Sequence, residues 1–491
     1  MKKLAIKNSN TLLATKVIFI STLLLSMESC KTKFHKDSDA GPATAGSVSF
    51  SSYVAVGSTV TAGFADNALY TEGQNYAYPN LIAGKIRDVN PGLIFNQPDI
   101  NSVNGWSATT KGRSELVIPS CPGPSIGGVA VNGESSVLPY TGTKATLNNL
   151  AVPFLPTDSI NVATITAGAK STNPYPYFTR VTDVGTLGIA SEAKKRGASF
   201  FTIYLGDVDA LKYATSGGTK TMISTASFRQ NIENLLDSLL SVPGSKGVIA
   251  NIPYVDQFPI VTVNNRRLTS TTDPAKNPVR LSAAAAAIFN ADLGQNLFSG
   301  ATGAKSYYAI TTGTGSVRQL DPAKDFVVTS SVLNKSGIGK VDSASVRSCT
   351  PDNTPRDSSG FKAPFANSAV LDKAEIVALR AQIDDYNNAI ATAVAARNAG
   401  GVRVAIVDLN AFFRKLSDPL YGIQYGTQEI IRTNHPALGP DFGGFFSLDR
   451  TNPTPKGQAL LANEFIKAIN NTFGSSLKLY DPSGFRANLI P

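Results

Sequence analysis

The sequence predicts an α/β domain built on a mainly parallel sheet and carrying two long insertions. Short runs rich in β-branched and aromatic residues alternate with amphipathic helical stripes, which is typical of strands joined by crossover helices. The clearest strand is ASFFTIYL at 198–205, a nearly continuous apolar run that indicates burial on both faces. A helical stripe from Phe228 to Leu240 and a further apolar run over 246–252 follow it. Strand, helix and strand in this order indicate a parallel crossover.

The other regular elements follow the same pattern along the chain. We expect a first strand over Tyr53–Val56 that passes into a helix through a Gly-flanked turn, and a helix that includes Pro79–Ile86. Lys373–Arg397 carries a long apolar stripe at helical spacing, and Val402–Leu409 has the composition of the last parallel strand. Each stripe is first of all a prediction of buried core.

Two stretches interrupt this pattern, at about 90–177 and 259–368. Both are rich in Gly, Pro, Ser and Thr and are too long for ordinary loops, so we interpret them as insertions. The second contains an Ala-rich helical pattern near 282–293 and a strand-like run at 326–332. It is therefore predicted to be a lid or a small subdomain.

The N-terminus has the organisation of an export signal. A lysine-bearing start is followed by an apolar stretch from Val17 to Met27, which is too short to span a bilayer comfortably. We assign residues 1–29 to a signal peptide, 30–48 to a flexible tether, 49–475 to the folded domain and 476–491 to a C-terminal tail. Cys30 follows a small residue and resembles the lipidated cysteine of a bacterial lipobox. Because Met27 and Glu28 depart from that pattern, an ordinary cleaved signal with an incidental cysteine is the alternative.

The remaining cysteines are Cys121 and Cys349, which both lie in turn-rich stretches. In an exported chain they are able to form a disulfide, with two free thiols as the alternative. The sequence does not supply the Cα separation that decides between the two.

The charge balance argues against nucleic acid as a partner. The formal net charge is +10 in 491 residues, and the four lysines and one glutamate of the predicted leader account for three of these charges. No basic run with interleaved aromatic residues is present. No His/Cys cluster has the spacing of metal ligands, so the sequence predicts neither a metal nor another cofactor.

Residues 57–63, GSTVTAG, form the first motif that bears on chemistry. This stretch resembles the first block of the SGNH, or GDSL, hydrolases, which reads Gly-Asp-Ser-Leu-Thr-Ala-Gly with the serine as nucleophile. In the alignment Gly57 and Gly63 are retained, Ser58 stands at the aspartate position, and Thr59 stands at the position of the nucleophilic serine. The resemblance implies a three-layer α/β/α, flavodoxin-like fold and an ester hydrolase ancestry.

Two further blocks of this family supply oxyanion donors, and both are altered here. LNNLAVPFLP at 147–156 is similar to the second block, and its functional glycine falls on Phe154. After the strand at 198–205, Gly206 and Asp209 match the third block, but its asparagine falls on Val208. The loss of one such side-chain donor typically lowers the rate about 10²- to 10³-fold.

The fifth block is similar to SLDRTNPTPKG at 447–457, which leads into a terminal helix. Asp449 matches the acid of the catalytic triad, whereas Asn452 stands where the family has histidine. An asparagine cannot take a proton at neutral pH, so Asp449 has no imidazole to orient. His435 is considered as a substitute base for Thr59, against the simpler interpretation of a solvated loop histidine.

These observations lead to three hypotheses about function. The first is an exported lipoprotein, anchored by Cys30 at the outer membrane, whose SGNH-like domain binds a small molecule, glycan or acyl ligand without hydrolysing it. Its pocket is predicted to include Gly57, Ser58, Gly206 and Asp209 beside the degenerate catalytic positions. The second is an esterase that uses Thr59 with a base from elsewhere, and the third is a structural surface protein without a ligand site.

Overall fold

The computed structural model describes residues 41–107, 112–117, 127–130, 132–161, 176–182, 188–262, 309–315, 317–319, 324–328, 366–416 and 444–488. The chain divides into two compact units, Met1–Ala43 and Thr44–Pro491, and the second contains the fold described below. The signal peptide, Cys30, Cys121, Cys349 and His435, like the Ala-rich stretch at 282–293, lie outside the described residues.

Strands and helices alternate through this unit. In chain order the strands are β1 (Tyr53–Gly57), β2 (Ser114–Val117), β3 (Gly127–Ala130), β4 (Phe200–Tyr204), β5 (Lys246–Ala250), β6 (Ala309–Thr311), β7 (Val317–Gln319), β8 (Phe326–Val327), β9 (Val370–Leu371) and β10 (Val404–Val407). The α-helices are α1 (Thr71–Asn75), α2 (Tyr78–Arg87), α3 (Ile189–Lys195), α4 (Asp207–Thr215), α5 (Thr225–Leu240), α6 (Lys373–Arg397), α7 (Leu409–Leu416) and α8 (Pro455–Phe473).

A four-stranded parallel sheet lies at the centre, in the order β1-β4-β5-β10. Its register aligns Val54 with Phe201, and Ile203 with Ile249. β1 and β4 are buried along their whole length, as the continuous apolar runs predict. The predicted α/β fold with a mainly parallel sheet is therefore confirmed.

A short segment of the first predicted insertion joins the free edge of β1. Asn149 forms a parallel bridge with Ala55, and the Ala55 carbonyl accepts the amide of Leu150 at 2.9 Å. The amide of Val152 then donates to the Gly57 carbonyl at 3.2 Å. Part of the stretch interpreted as an insertion thus contributes to the edge of the sheet.

The helices fall into two packed groups. α2 packs against α8, and α8 also contacts β5 and β10; α5 packs against both α3 and α6, and α6 contacts β10. The apolar stripe of α5 is buried, as its helical spacing predicts. The start of α6 is fixed by a capping box, in which Asp372 accepts from the Glu375 amide and Glu375 accepts from the Asp372 amide.

Three expectations need correction. The helix expected directly after the Gly-flanked turn does not form: residues 58–63 make a turn, and the first helix begins at Thr71. Left-handed backbone at Gly63, Asp66 and Asn67 ends the helical path, because consecutive right-handed residues are needed to continue it. Within the described part of the strand expected over 326–332, β8 ends at Val327 and pairs antiparallel with β9; residues 329–332 lie outside the described residues.

The third correction concerns the predicted tether, which ends earlier than residue 48. The Ser47 amide donates to the Phe473 carbonyl at 2.9 Å, and the Ser476 amide donates to the Thr44 carbonyl at 3.1 Å. Val48 is buried in the core. Residues from Thr44 onward therefore belong to the folded unit, because they are bonded to the end of α8.

None of the helices in the described parts of the chain is long and apolar enough to cross a membrane.

Candidate functional site

Thr59 lies in the turn at the carboxyl end of β1. The turn is closed by the Ala62 amide, which donates to the Ser58 carbonyl at 3.0 Å, and by the Phe64 amide, which donates to the Thr59 carbonyl at 3.2 Å. The Ser58 hydroxyl donates to the Val152 carbonyl, so this side chain is used inside the fold. Gly57 permits the turn, because a Cβ there would overlap the side chain of Thr61 and the Tyr204 carbonyl.

Phe154 approaches Thr59 from the segment that borders β1. Its backbone amide donates to Thr59 Oγ1 at 2.9 Å. Its φ is 65°, a left-handed conformation that glycine adopts more readily than any other residue. The phenyl ring is 44% exposed and packs edge-on against Phe64, with centroids 4.9 Å apart. The backbone at this position thus keeps a glycine-like conformation even though the residue is phenylalanine.

The third motif lies where β4 passes into α4. Gly206 caps the helix with a φ of 97°, and Asp207 and Val208 are the first two helical residues. The Asp209 carboxylate accepts from both the amide and the hydroxyl of Thr157, at 3.0 and 2.8 Å. These two hydrogen bonds hold the 154–160 segment against α4.

Asp449 and Asn452 are hydrogen-bonded to each other in the loop that precedes α8. Asn452 donates to Asp449 twice, from its amide to Oδ1 at 2.7 Å and from Nδ2 to Oδ2 at 2.9 Å. The Thr451 amide adds a third bond to Oδ1 at 2.9 Å. Burial raises the pKa of Asp449, while the hydrogen bonds from Asn452 and Thr451 oppose that shift.

Asp66 holds this loop against the turn after β1. The Leu448 amide donates to Asp66 Oδ1 at 3.0 Å, and the Asp66 amide donates to Ser447 Oγ at 3.0 Å. Tyr70 donates to the second carboxylate oxygen at 2.8 Å. Burial raises the pKa of Asp66, and these donors oppose the shift. The two motifs at opposite ends of the sequence are thus joined by a buried carboxyl.

All of these segments border one cavity of about 610 Å³, a size within the usual range for small-molecule sites. Its lining residues are Thr59, Phe64, Asn67, Trp106, Ser107, Phe154, Pro156, Tyr177, Asp207, Val208, Leu211, Lys212, Thr215, Lys220, Ile260, Asp449, Thr451 and Asn452. The five altered or retained catalytic positions predicted from sequence therefore meet at one place. The predicted pocket residues Gly57, Ser58, Gly206 and Asp209 are not themselves in the lining; the last three stand next to lining residues in the chain, and Gly57 is two residues from Thr59.

Two acidic side chains at the start of α4 have raised pKa values. Burial raises the pKa of Asp207 to about 7, with a contribution from neighbouring Asp209, while the Val208 amide opposes the shift. Burial likewise raises the pKa of Asp209 to about 6, opposed by its bonds to Thr157. Asp207 is 2% exposed and its Oδ1 accepts no hydrogen bond from the described residues.

Sequence reasoning missed Asp207 and the aromatic walls of the cavity. Asp207 directly follows the glycine that ends a buried strand, and this placement is the one signal that could have singled it out. Trp106 and Tyr177 come from the first predicted insertion, where no periodicity indicates which side chains face inward. Among the described residues, no group of three or more His, Cys, Asp or Glu side chains is arranged to hold a metal ion.

Comparison of the chain with models of protein families, with curated proteins and with solved structures finds no match.

Proposed function

We propose that this chain is an exported, lipid-anchored protein with an SGNH-hydrolase-like fold, and that it is a catalytically impaired pseudoenzyme that retains a ligand pocket. The observation that carries the proposal is the Asn452–Asp449 pair, at 2.9 Å between Nδ2 and Oδ2. A carboxylate receives an N–H donor there, as in a catalytic triad, yet the donor is an amide that does not titrate. The pair thus has the acid expected of a triad and lacks its base.

The order of the strands supports the three-layer, flavodoxin-like part of the proposal. The segment at Asn149, β1, β4, β5 and β10 lie side by side, and the chain leaves β1 first to one side and then to the other. This reversal defines a topological switch point, where open α/β sheets bind ligands. Thr59, Phe154 and Asp207 follow the three strands that meet there. Two separate helix groups, α2 with α8 and α5 with α3 and α6, suit helices on both faces of the sheet.

The contact between Phe154 and Thr59 also supports the absence of catalysis. The donor that would hold an oxyanion in the resembling family is the backbone amide at position 154, and here it bonds to the Thr59 hydroxyl oxygen. A nucleophile that already accepts this bond must break it before the amide is free to stabilise a tetrahedral intermediate. Val208 supplies no side-chain donor in its place.

One observation favours the second hypothesis, an esterase that uses Thr59. Asp207 lines the same cavity, and its pKa of about 7 is suited to a general base at neutral pH. In that reaction Asp207 would take the Thr59 proton as Oγ1 attacks the ester carbonyl. Protonated Asp207 would give that proton to the leaving alkoxide. In the second step Asp207 would take a proton from the attacking water and return it to Thr59 Oγ1 as the acyl group leaves as a carboxylic acid.

The test is an esterase assay of the purified protein and of repaired variants, on p-nitrophenyl acetate and longer acyl esters. We expect no turnover from the wild type, and weak turnover from Thr59→Ser with Asn452→His, because triad members act as a unit. Adding Val208→Asn and Phe154→Gly should raise the rate further, by about 10²-fold for the asparagine. Thr59→Ala with Asn452→His is the matched control, since it has the base and lacks the nucleophile.

Wild-type turnover that disappears in both Thr59→Ala and Asp207→Asn would favour the esterase and refute the pseudoenzyme. A folded fourfold variant without activity on any acyl chain would contradict the proposed ancestry of the site. The lipid anchor is tested separately, by detergent-phase partitioning of the full-length chain expressed with its leader. Partitioning into the detergent phase should be lost in Cys30→Ser.

A further inference from the structure

Two acceptor oxygens, on residues that line the cavity, are buried and have no donor in the described part of the protein. They are Asp207 Oδ1 and Asn452 Oδ1, on side chains that are 2% and 3% exposed. The orientation of the Asn452 amide follows from Asp449, which accepts from Nδ2 and leaves Oδ1 on the opposite side. A buried acceptor without a donor is costly, so its presence at two places in one cavity needs an explanation.

The Thr59 hydroxyl complements these oxygens. Its oxygen accepts from the Phe154 amide, and no acceptor for its own proton is found among the described residues. The residues that line the cavity therefore carry two unpaired acceptors and one donor, on three chain segments. A hydroxyl group matches both kinds, since it donates one hydrogen bond and accepts others. An ionised carboxylate donates no hydrogen bond, so it would leave Asn452 Oδ1 without a donor.

Four aromatic residues of the cavity wall contact one another edge to face. Ring centroids of Phe64 and Phe154 are 4.9 Å apart, those of Phe64 and Tyr177 are 6.5 Å apart, and those of Trp106 and Tyr177 are 6.1 Å apart. The Tyr177 hydroxyl donates to the Trp106 backbone carbonyl, which holds the Tyr177 ring against that segment. The faces of such rings carry negative charge density and attract the weakly positive C–H groups of a sugar ring.

Lys212 and Lys220 also border the cavity, but both are exposed residues. A charge at that position is screened by solvent, so an acid held there would leave the deeper oxygens without donors. The lysines thus do not favour a fatty acid over a polyhydroxyl ligand.

We infer that the cavity binds a carbohydrate of about one or two sugar rings, whose hydroxyl groups donate to Asp207 and Asn452 and whose apolar face packs on the aromatic wall. This inference rests on the proposed function, because it names the ligand class of the same pocket. It selects the glycan from the ligands considered.

Trp106 is the single tryptophan of the chain and lies in the cavity wall, so its fluorescence reports on this site alone. The full-length protein is titrated with glucose, galactose, N-acetylglucosamine, cellobiose and lactose, and separately with octanoate. We expect at least one sugar to shift the emission saturably. Its affinity should fall about tenfold or more in Asp207→Leu and in Asn452→Ala, since the loss of one good hydrogen bond to a buried group has that magnitude.

The matched control is Asp158→Asn, which alters an exposed carboxyl bonded to Ser159 and should leave sugar affinity unchanged. Near-UV circular dichroism verifies that each variant is folded. Binding of octanoate and of no sugar would overturn the ligand class while leaving the proposed pseudoenzyme intact. Sugar affinity unchanged in both variants would overturn the assignment of the acceptors. If no sugar binds while acrylamide still quenches Trp106, the inference is wrong, whereas the esterase assay alone decides whether the site is catalytic.

Discussion

Asp207 and Asp209 are buried carboxyls two positions apart whose surroundings differ. Asp209 is bonded to the amide and hydroxyl of Thr157, whereas Asp207 Oδ1 has no donor in the described residues. Burial therefore raises the pKa of Asp207 to about 7 and that of Asp209 to about 6. A raised carboxyl pKa means that the folded protein resists ionisation of this group, so Asp207 opposes folding once pH exceeds its unfolded pKa.

Replacing Asp207 by asparagine should therefore stabilise the protein in a pH-dependent way. The unfolded pKa is 3.8 and the folded pKa is about 7, so the stability associated with protonated Asp207 is complete below about pH 4 and is lost as pH rises through 7. The gain from Asp207→Asn should be roughly 2–3 kcal/mol larger at pH 8 than at pH 5. Urea denaturation at the two pH values measures it.

Asp209→Asn provides the contrast to this result. It should lower stability at pH 5, because it disturbs two bonds to Thr157, and its dependence on pH should be weaker. If Asp207→Asn changed the free energy of unfolding equally at both pH values, the pKa of Asp207 would not be raised by burial.

At the scale of single residues, the resemblance to four sequence blocks of the SGNH hydrolases selected Thr59, Phe154, Val208, Asp449 and Asn452, and all five line one cavity. It was not sufficient to identify Asp207, because burial and missing donors depend on chain segments far apart in sequence. It also left open how exposed the ring at position 154 is, since exposure depends on the cavity beside it.

Among the elements, long periodic segments were predictable and turns were not. α6 spans the predicted Lys373–Arg397, since its apolar stripe and its capping residues agree. The helix expected after the Gly-flanked turn does not form, because Gly63, Asp66 and Asn67 are left-handed. Asp and Asn tolerate this conformation, but their presence in a sequence does not by itself predict it. The pairing of Asn149 with β1 is a long-range contact inside a stretch with little periodicity.

Substitutions at Phe154 test whether its backbone is held in the left-handed conformation. At a φ of 65°, a side chain with a Cβ costs roughly 1–2 kcal/mol that glycine avoids. Because the ring is 44% exposed, its removal should cost less than the roughly 3–5 kcal/mol typical of a buried phenylalanine. Phe154→Gly should therefore be more stable than Phe154→Ala by about 1 kcal/mol, as measured by thermal and chemical denaturation.

Phe64 is the matched control, since it is an aromatic neighbour in the same wall and has no left-handed backbone. There the order should reverse, with Phe64→Ala more stable than Phe64→Gly because glycine adds freedom to the unfolded chain. The same order at both positions would mean that the backbone at 154 is not held left-handed.

Across the whole molecule, the C-terminal tail bonds to parts that are distant in sequence. Arg486 forms a bidentate pair with Glu72 of α1, with both N–O distances at 2.6 Å. Tyr480 donates to the Leu81 carbonyl of α2 at 2.8 Å. Asn488 Nδ2 donates to the Phe446 carbonyl at 2.8 Å, just before the loop that holds Asp449. The sequence analysis assigned residues 476–491 to a separate tail, because no periodic pattern predicts these long-range hydrogen bonds.

These contacts predict separable contributions to stability and to the order of the site. Arg486 and Glu72 are partly exposed, so a double-mutant cycle with Arg486→Gln and Glu72→Gln should give a coupling of about 1 kcal/mol that weakens as salt is added. Deletion of residues 486–491 removes this pair and also the bond to Phe446. Hydrogen exchange at the Asn452 amide, which is bonded to Asp449, should therefore accelerate more in the truncated protein than in Arg486→Gln. Equal exchange in the two proteins would mean that the tail stabilises the domain through Glu72 alone and does not support the loop at the cavity.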